Sequence, residues 1–212
     1  MFAAIIRSAV LLWALVLLTP HAAASESTPQ TVVQGATDQL LSQIQKNRKA
    51  YEQNQADFRA MVDGVLLPVF DFDYTGRLVL AQHWKSASGE QRQRFLDAFR
   101  HTLINTYASA FLGYEPSTRL VWKAATVRND GSSATVNLEV QQPGKPPLAI
   151  AFSMRLDGQA GWRIYDIAIE GISLAVNFRG QFAAEIKRGG LDALIARLES
   201  SGSDAAPAGS GS

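Results

Sequence analysis

The sequence predicts an α+β fold in which a helical amino-terminal half packs on a four-stranded antiparallel sheet and further helices follow at the carboxyl end. Three observations carry this. Apolar residues recur at helical spacing as far as Leu112, alternate with a period of two between Leu120 and Glu170, and return to helical spacing after Gly171. With 212 residues the chain has the length of one domain of ordinary size.

The first element is an address. Arg7 precedes an apolar run over 9–18, then Thr19-Pro20 and Ala22-Ala23-Ala24, the three regions of a secretory signal, with cleavage expected after Ala24. The run is short for a membrane span, which needs about 20 residues. A soluble, exported mature domain is therefore expected over 25–199, with a disordered Ser/Gly/Ala/Pro tail over 200–212. The chain has no cysteine, so disulfides, thiol chemistry and a lipidated cysteine are excluded. Formal net charge is +1, and loss of Arg7 leaves nineteen basic against nineteen acidic residues. That balance argues against a nucleic-acid partner and against strong adhesion to anionic lipid.

In the mature chain, Val33, Ala36, Leu40 and Ile44 mark a first helical stripe, and Phe58, Met61, Val62 and Val65 a second. Pro68 and Phe70 interrupt before a helix carrying Tyr74, Leu78 and Ala81. Ser88 and Gln91 form a capping box that opens a helix running to Leu112, striped by Phe95, Phe99, Leu103, Tyr107 and Phe111. Strands are predicted over 120–127, 134–141, 148–156 and 162–170, separated by Asn129-Asp130-Gly131, Pro143-Gly144 and Asp157-Gly158 turns. On the middle strands Ala134, Val136, Leu138 and Val140 share a face, as do Leu148, Ile150, Phe152, Met154 and Leu156. Their polar opposite faces predict a sheet wet on one side. In the last strand, strict alternation puts Arg163, Tyr165, Ile167 and Ile169 on one face and Trp162, Ile164, Asp166 and Ala168 on the other. Gly171 then turns the chain into a hinge helix with Ile172, Val176 and Arg179 beside Leu174, Phe178 and Phe182. Gly189-Gly190 ends it, and Leu191, Leu194, Ile195 and Leu198 stripe a final short helix.

Few residues invite chemistry. His83 and His101 stand in no zinc-site spacing and read as structural or surface residues. Asp71 and Asp73 would suit a divalent cation or acid–base work, but they precede a helical stripe, where carboxylates cap free amides. No GxSxG, P-loop or GxGxxG occurs in the globular part. Asp166 and Glu170 share a strand face with Trp162 and Ile164, and a buried acid near Tyr165 would suit proton transfer in a cone-shaped helix-plus-sheet enzyme. The simpler reading pairs them with Arg155, Arg163 or Arg179. Arg179 itself suits either a phosphate or an ion pair that holds the hinge to the sheet.

The segment from Trp162 to Phe182, W-R-I-Y-D-I-x-I-E-G-I-S-L-x-x-N-F-R-x-Q-F, closely resembles the signature of the toluene-tolerance family of periplasmic phospholipid-binding proteins, the MlaC type. The resemblance extends upstream through Pro68-Val69-Phe70-Asp71-Phe72-Asp73-Tyr74, Leu78-Val79-Leu80, His83-Trp84, Phe95 and Tyr107, and downstream through Gly190-Leu191-Asp192. It implies a fold enclosing an apolar cavity and a carrier of phospholipid between two membranes, maintaining outer-membrane lipid asymmetry. The implied partners are an inner-membrane lipid ABC transporter with its substrate-binding component and an outer-membrane lipoprotein–porin complex. No cofactor is implied beyond bound phospholipid as cargo, and no catalysis.

The candidate walls are Tyr107, Phe111, Val136, Leu138, Ile150, Phe152, Ile164, Ile167, Ile169, Leu174 and Phe178, with Arg179 the head-group candidate. The same set would describe an ordinary packed core, since composition does not distinguish a solid interior from a hollow one. Two alternatives stand beside the phospholipid carrier. One is a small enzyme acting on an apolar substrate with Asp166 or Asp73 as base, and the other a hopanoid-associated carrier.

Overall fold

The computed structural model describes residues 27–128 and 130–203, so the expected signal segment and the tail beyond 203 lie outside the described residues. Among the described residues six α-helices and five strands follow in the order α1 (Pro29–Gln53), α2 (Gln55–Leu66), α3 (Phe72–Leu80), α4 (Gln82–Ser86), α5 (Gly89–Leu112), β1 (Arg119–Val127), β2 (Ser133–Gln141), β3 (Leu148–Asp157), β4 (Gly161–Ile169), β5 (Ile172–Ser173) and α6 (Leu174–Ser203), with a short 3-10 turn, Gly158–Ala160, between β3 and β4. The sheet is an antiparallel meander, β1-β2-β3-β4-β5. The fifth strand is the first two residues of the expected hinge helix. Among the described residues no helix is long and apolar enough to cross a membrane.

Local signals explain most boundaries. Thr28 caps α1 and Asn54 caps α2 through side-chain oxygens. Ser88 and Gln91 form the expected reciprocal box, with Gln91 N donating to Ser88 Oγ at 3.1 Å and Ser88 N to Gln91 Oε1 at 3.0 Å. Within α6, Gly190 has φ 84° and ψ 170°, breaking the helix where the glycine pair predicted a stop. The second half runs to Ser203, three residues past the start expected for the tail at Ser200. In α3 the buried residues are Thr75, Gly76, Val79 and Leu80, whereas Tyr74 and Leu78 are half-buried and Ala81 ends the helix at φ 48°. The expected stripe is thus displaced by one residue. Gly76 explains the shift, because a Cβ there would lie 2.4 Å from Leu96 Cδ2, so α3 turns this face to α5.

Both edges of β4 are used. β3 pairs along one edge; on the other, β5 pairs at Ala168 and Ile169 while Phe70 bridges Ile164 in parallel, with Asp71 N donating to Ile164 O and Ile164 N to Val69 O. Thr75 Oγ1 donates to Tyr165 O between those contacts. No long stretch of β4 is left open to further pairing.

Candidate functional site

The inner face of the sheet is set by a bulge that alternation does not reveal. Ser153 pairs with Asp166 but Met154 with Ile164, so Tyr165 is an extra residue in β4. One inserted residue exchanges the faces of everything beyond it. Ile164, Ile167 and Ile169 therefore lie opposite Met154, Phe152 and Ile150 on one face, while Asp166 and Ala168 join Arg163 on the other. This corrects the alternation reading, which separated Ile164 from Ile167 and Ile169 and placed Asp166 beside Ile164. Val136 and Leu138 continue the inner face opposite Phe152 and Ile150. Trp122 extends it opposite Leu138, its ring 6.4 Å from that of Phe152. The sequence reading missed Trp122, although its alternation with Val121 and Lys123 was the available signal.

Beneath this face the interior is divided. One cluster joins α3, α5 and α6 around Phe95, Phe99, Phe182 and Ile195; a second joins α1, α2 and α5 around Ile44, Phe58, Val62 and Ile104; a third joins Val33 and Phe70 to Ala134, Val136, Met154 and Ile164. A domain of this size ordinarily has one contiguous core. Here the half-buried fringe of each cluster contains candidate wall residues: Phe178 on the first, Phe111 on the second, Phe152 and Ile167 on the third. Val136, Leu138 and Ile164 are buried outright; Tyr107, Phe111, Ile150, Phe152, Ile167, Ile169, Leu174 and Phe178 all keep part of their surface open. Burial raises the Tyr107 phenol pKa above its usual value.

The polar residues are committed to structure. Asp166 accepts from Ser173 Oγ at 2.5 Å and from Ala175 N at 3.0 Å, and Ser173 Oγ accepts from Val176 N, so Asp166 and Ser173 together cap α6 and tie it to β4. Glu170 turns back on β3, its carboxylate accepting from Ala149 N. Neither pairs with Arg155, Arg163 or Arg179, the partners expected from sequence. Arg155 binds Asp71 at 2.7 Å and Asp157 at 2.8 Å and lies 5.0 Å from the Tyr74 ring, with the Asp71 bond raising its pKa. Arg163 donates to the carbonyls of Leu67 and Phe70. Arg179, the head-group candidate, donates from Nε to Leu78 O at 2.6 Å, fastening α6 to the end of α3 by a hydrogen bond to a carbonyl instead of an ion pair. Asp71 caps α3 through Tyr74 N at 2.9 Å, and Asp73 is exposed in that helix's first turn. His83 and His101 are half-buried, on α4 and α5.

Two surface concavities, of about 510 and 260 Å³, are defined on the described residues. The larger is lined by Thr126, Val127, Arg128 and Asp130 at the β1–β2 turn, and the smaller lies among Phe72, Asp73, Asp97, Arg100 and Arg163; no candidate wall residue lines either. Neither concavity is the apolar chamber expected from sequence, whose candidate walls are the half-open residues on the fringes of the three clusters.

The sequence and the fold recur in known proteins. The family model described as MlaC protein matches residues 34–200. The intermembrane phospholipid transport system binding protein MlaC of Haemophilus influenzae is 28% identical over 188 residues, covering 88% of this chain and 87% of its own. The toluene tolerance protein ttg2D of Pseudomonas putida is 31% identical over 184 residues, covering 86% and 82%. A phospholipid-binding protein from Ralstonia solanacearum, solved in complex with a phospholipid, superposes with a TM-score of 0.76 at 29% identity, covering 84% of this chain and 99% of its own. The matched span holds the whole meander, the motif from Trp162 to Phe182, α2 to α5 and most of α1 and α6, and the chain belongs to the MlaC family.

Proposed function

We propose that this chain is a periplasmic phospholipid carrier that shelters acyl chains against the inner face of the sheet, beneath α1, α5 and α6. The observation that carries the reading is the half-buried apolar fringe shared by three separate clusters, on a fold that in the Ralstonia protein holds a phospholipid. Each methylene withdrawn from water is worth about 0.8 kcal/mol, so carrying two long chains through water unaided would cost roughly 20 kcal/mol or more. A dry apolar cleft removes most of that barrier without a catalytic group. Tyr107, Phe111, Ile150, Phe152, Ile167, Ile169, Leu174 and Phe178 contact the chains, and Val136, Leu138 and Ile164 form the floor behind them.

The leader-like residues 1–24 support export to the periplasm. The relative from Haemophilus, a binding protein of an intermembrane phospholipid transport system, supports delivery between an inner-membrane lipid ABC transporter and an outer-membrane lipoprotein–porin complex, and with it a role in outer-membrane lipid asymmetry. The competing enzymatic reading is weakened by Asp166, whose two carboxylate oxygens already accept from Ser173 and Ala175.

Native mass spectrometry of the purified mature protein, followed by organic extraction, tests the proposal. The expected result is a reproducible increment matching phospholipid. A single lipid-free mass, unchanged after incubation with phosphatidylglycerol vesicles, would overturn it.

A further inference from the structure

The end of the sheet where the cleft is least covered carries two adjoining turns with an unusual surface. Residues 143–149, Pro143-Gly144-Lys145-Pro146-Pro147-Leu148-Ala149, are all exposed. Beside them is the β4–β5 turn at Glu170-Gly171, followed by Ile172 and, in the first turn of α6, Val176. These two, at 63% and 59% exposure, are the most exposed of the large apolar side chains among the described residues. The two turns are joined by Glu170, which donates its N–H to Ala149 O and accepts the Ala149 N–H on its carboxylate.

We infer that this tip is a docking surface for a lipid bilayer, dipping Leu148, Ile172 and Val176 into the acyl layer. Charge is the first argument. The two segments carry one cation, Lys145, and one acid, Glu170, whose carboxylate accepts from Ala149 N, so no net negative charge opposes an anionic leaflet. Backbone is the second. Peptide N–H groups without partners are expensive in hydrocarbon, yet three of the seven residues in the first turn are proline and have none. Lys145 donates its N–H to Gln142 O, and Ala149 to Glu170. A tip with so few free N–H donors can enter hydrocarbon at little cost.

Continuity is the third argument. Ile172 pairs with Ile169, and Ile169 with Ile150, so the tip runs into the inner face without a polar break. An acyl chain leaving a bilayer at this end would remain on apolar surface throughout. The inference rests on the carrier reading for its purpose, but the surface is tested separately.

Flotation of the protein with vesicles of phosphatidylethanolamine and a minority of phosphatidylglycerol measures docking, and loading from detergent-mixed phospholipid measures the cleft. Replacing Ile172→Glu together with Val176→Glu should lower vesicle binding by at least about tenfold, as expected for losing two inserted aliphatic groups, and slow lipid uptake from vesicles by a similar factor. Loading from detergent should be unchanged. Val176 sits where a carboxylate suits the start of a helix, and circular dichroism confirms that the pair folds. Val127→Glu, exposed at the opposite end of the sheet, should bind vesicles as wild type does. Wild-type protein that fails to float, a double variant that floats and loads normally, or a wild-type dimer that the double variant dissolves would each overturn the docking surface. Failure of the wild type to load from detergent would instead overturn the carrier reading, and flotation would still decide the tip.

Discussion

Two rungs cross the same face of the sheet and meet opposite fates. Ala134, Met154 and Ile164 lie side by side at 4%, 0% and 3% exposure beneath Val33 and Phe70. Leu138, Ile150 and Ile169 lie side by side two rungs away; Leu138 is buried at 5%, but both isoleucines remain half-open. The residue types are interchangeable, so the difference comes from what covers them. α1 enters over the first rung and α3 braces the neighbouring β4, whereas the second rung ends at the exposed turns. The closed end is packed beneath helices, and the open end keeps part of its apolar surface uncovered.

The largest test of this division is truncation. Met154→Ala at the closed end should lower stability by about 2–5 kcal/mol, the usual range for emptying a filled core site. Ile150→Ala at the open end should remove less, because part of its surface lacks contacts to begin with. Chemical denaturation of the two variants reads the contrast directly. Equal losses would mean that the open end is packed as tightly as the closed one.

Enlargement sharpens the comparison. Ile164→Trp must displace Val33, Phe70 or Met154 and should destabilise the domain by about 1–3 kcal/mol. Ile150→Trp has an open side to grow into. It should leave the unfolding midpoint nearly unchanged while cutting phospholipid loading, measured by extraction from the purified protein. If Ile150→Trp loads normally, acyl chains do not lie over β3.

Much of this is legible in the sequence. Val33, Ala36, Leu40 and Ile44 are all buried along α1, and the Ser88–Gln91 box sits where the spacing placed it, because each signal is local: a stripe on one helix, a cap closed within four residues. The bulge at Tyr165 was not legible. Strict alternation from Trp162 to Glu170 is self-consistent, and only pairing with β3 shows that Ile164 and Ile167, three residues apart, both face inward. The hinge helix failed for a related reason. Helical spacing links Ile172 to Val176 as readily as Leu174 to Phe178, but α6 begins at Leu174 and turns Leu174 and Phe178 inward, leaving Ile172 and Val176 in solvent. Periodicity groups residues by face without saying which face the rest of the molecule will cover. The polar motif residues were ambiguous for a third reason: Asp166, Glu170 and Arg179 each bond to backbone, and backbone acceptors and donors leave no trace in a sequence.

A smaller effect tests how the open end is attached. Asp166 caps α6 from β4, so Asp166→Ala should lower stability by about 0.5–2 kcal/mol, as for other lost caps. Asp166→Asn keeps an oxygen for Ala175 N and should recover most of that loss. Lipid loading should be indifferent to Asp166→Asn. Abolition of a lipid-modifying activity by that single change would return Asp166 to the role of a base.

The smallest expected effect comes from Tyr107, the titratable member of the candidate wall. Burial holds its pKa above that of the unfolded chain, so the neutral phenol contributes stability that is complete below about pH 10 and is lost as pH rises through the folded value. The unfolded state releases its proton first, which tilts the equilibrium towards unfolding only on the alkaline side. Denaturation midpoints of wild type and Tyr107→Phe, followed from about pH 9 to pH 11, should therefore run together at the lower end and separate at the upper, with the wild type falling faster. Phospholipid loading should widen the separation, because acyl chains laid along α5 would cover what remains exposed of the ring. Curves that stay parallel with and without lipid would mean that the Tyr107 hydroxyl keeps its contact with water, and that the space beneath α5 is not part of the apolar cleft.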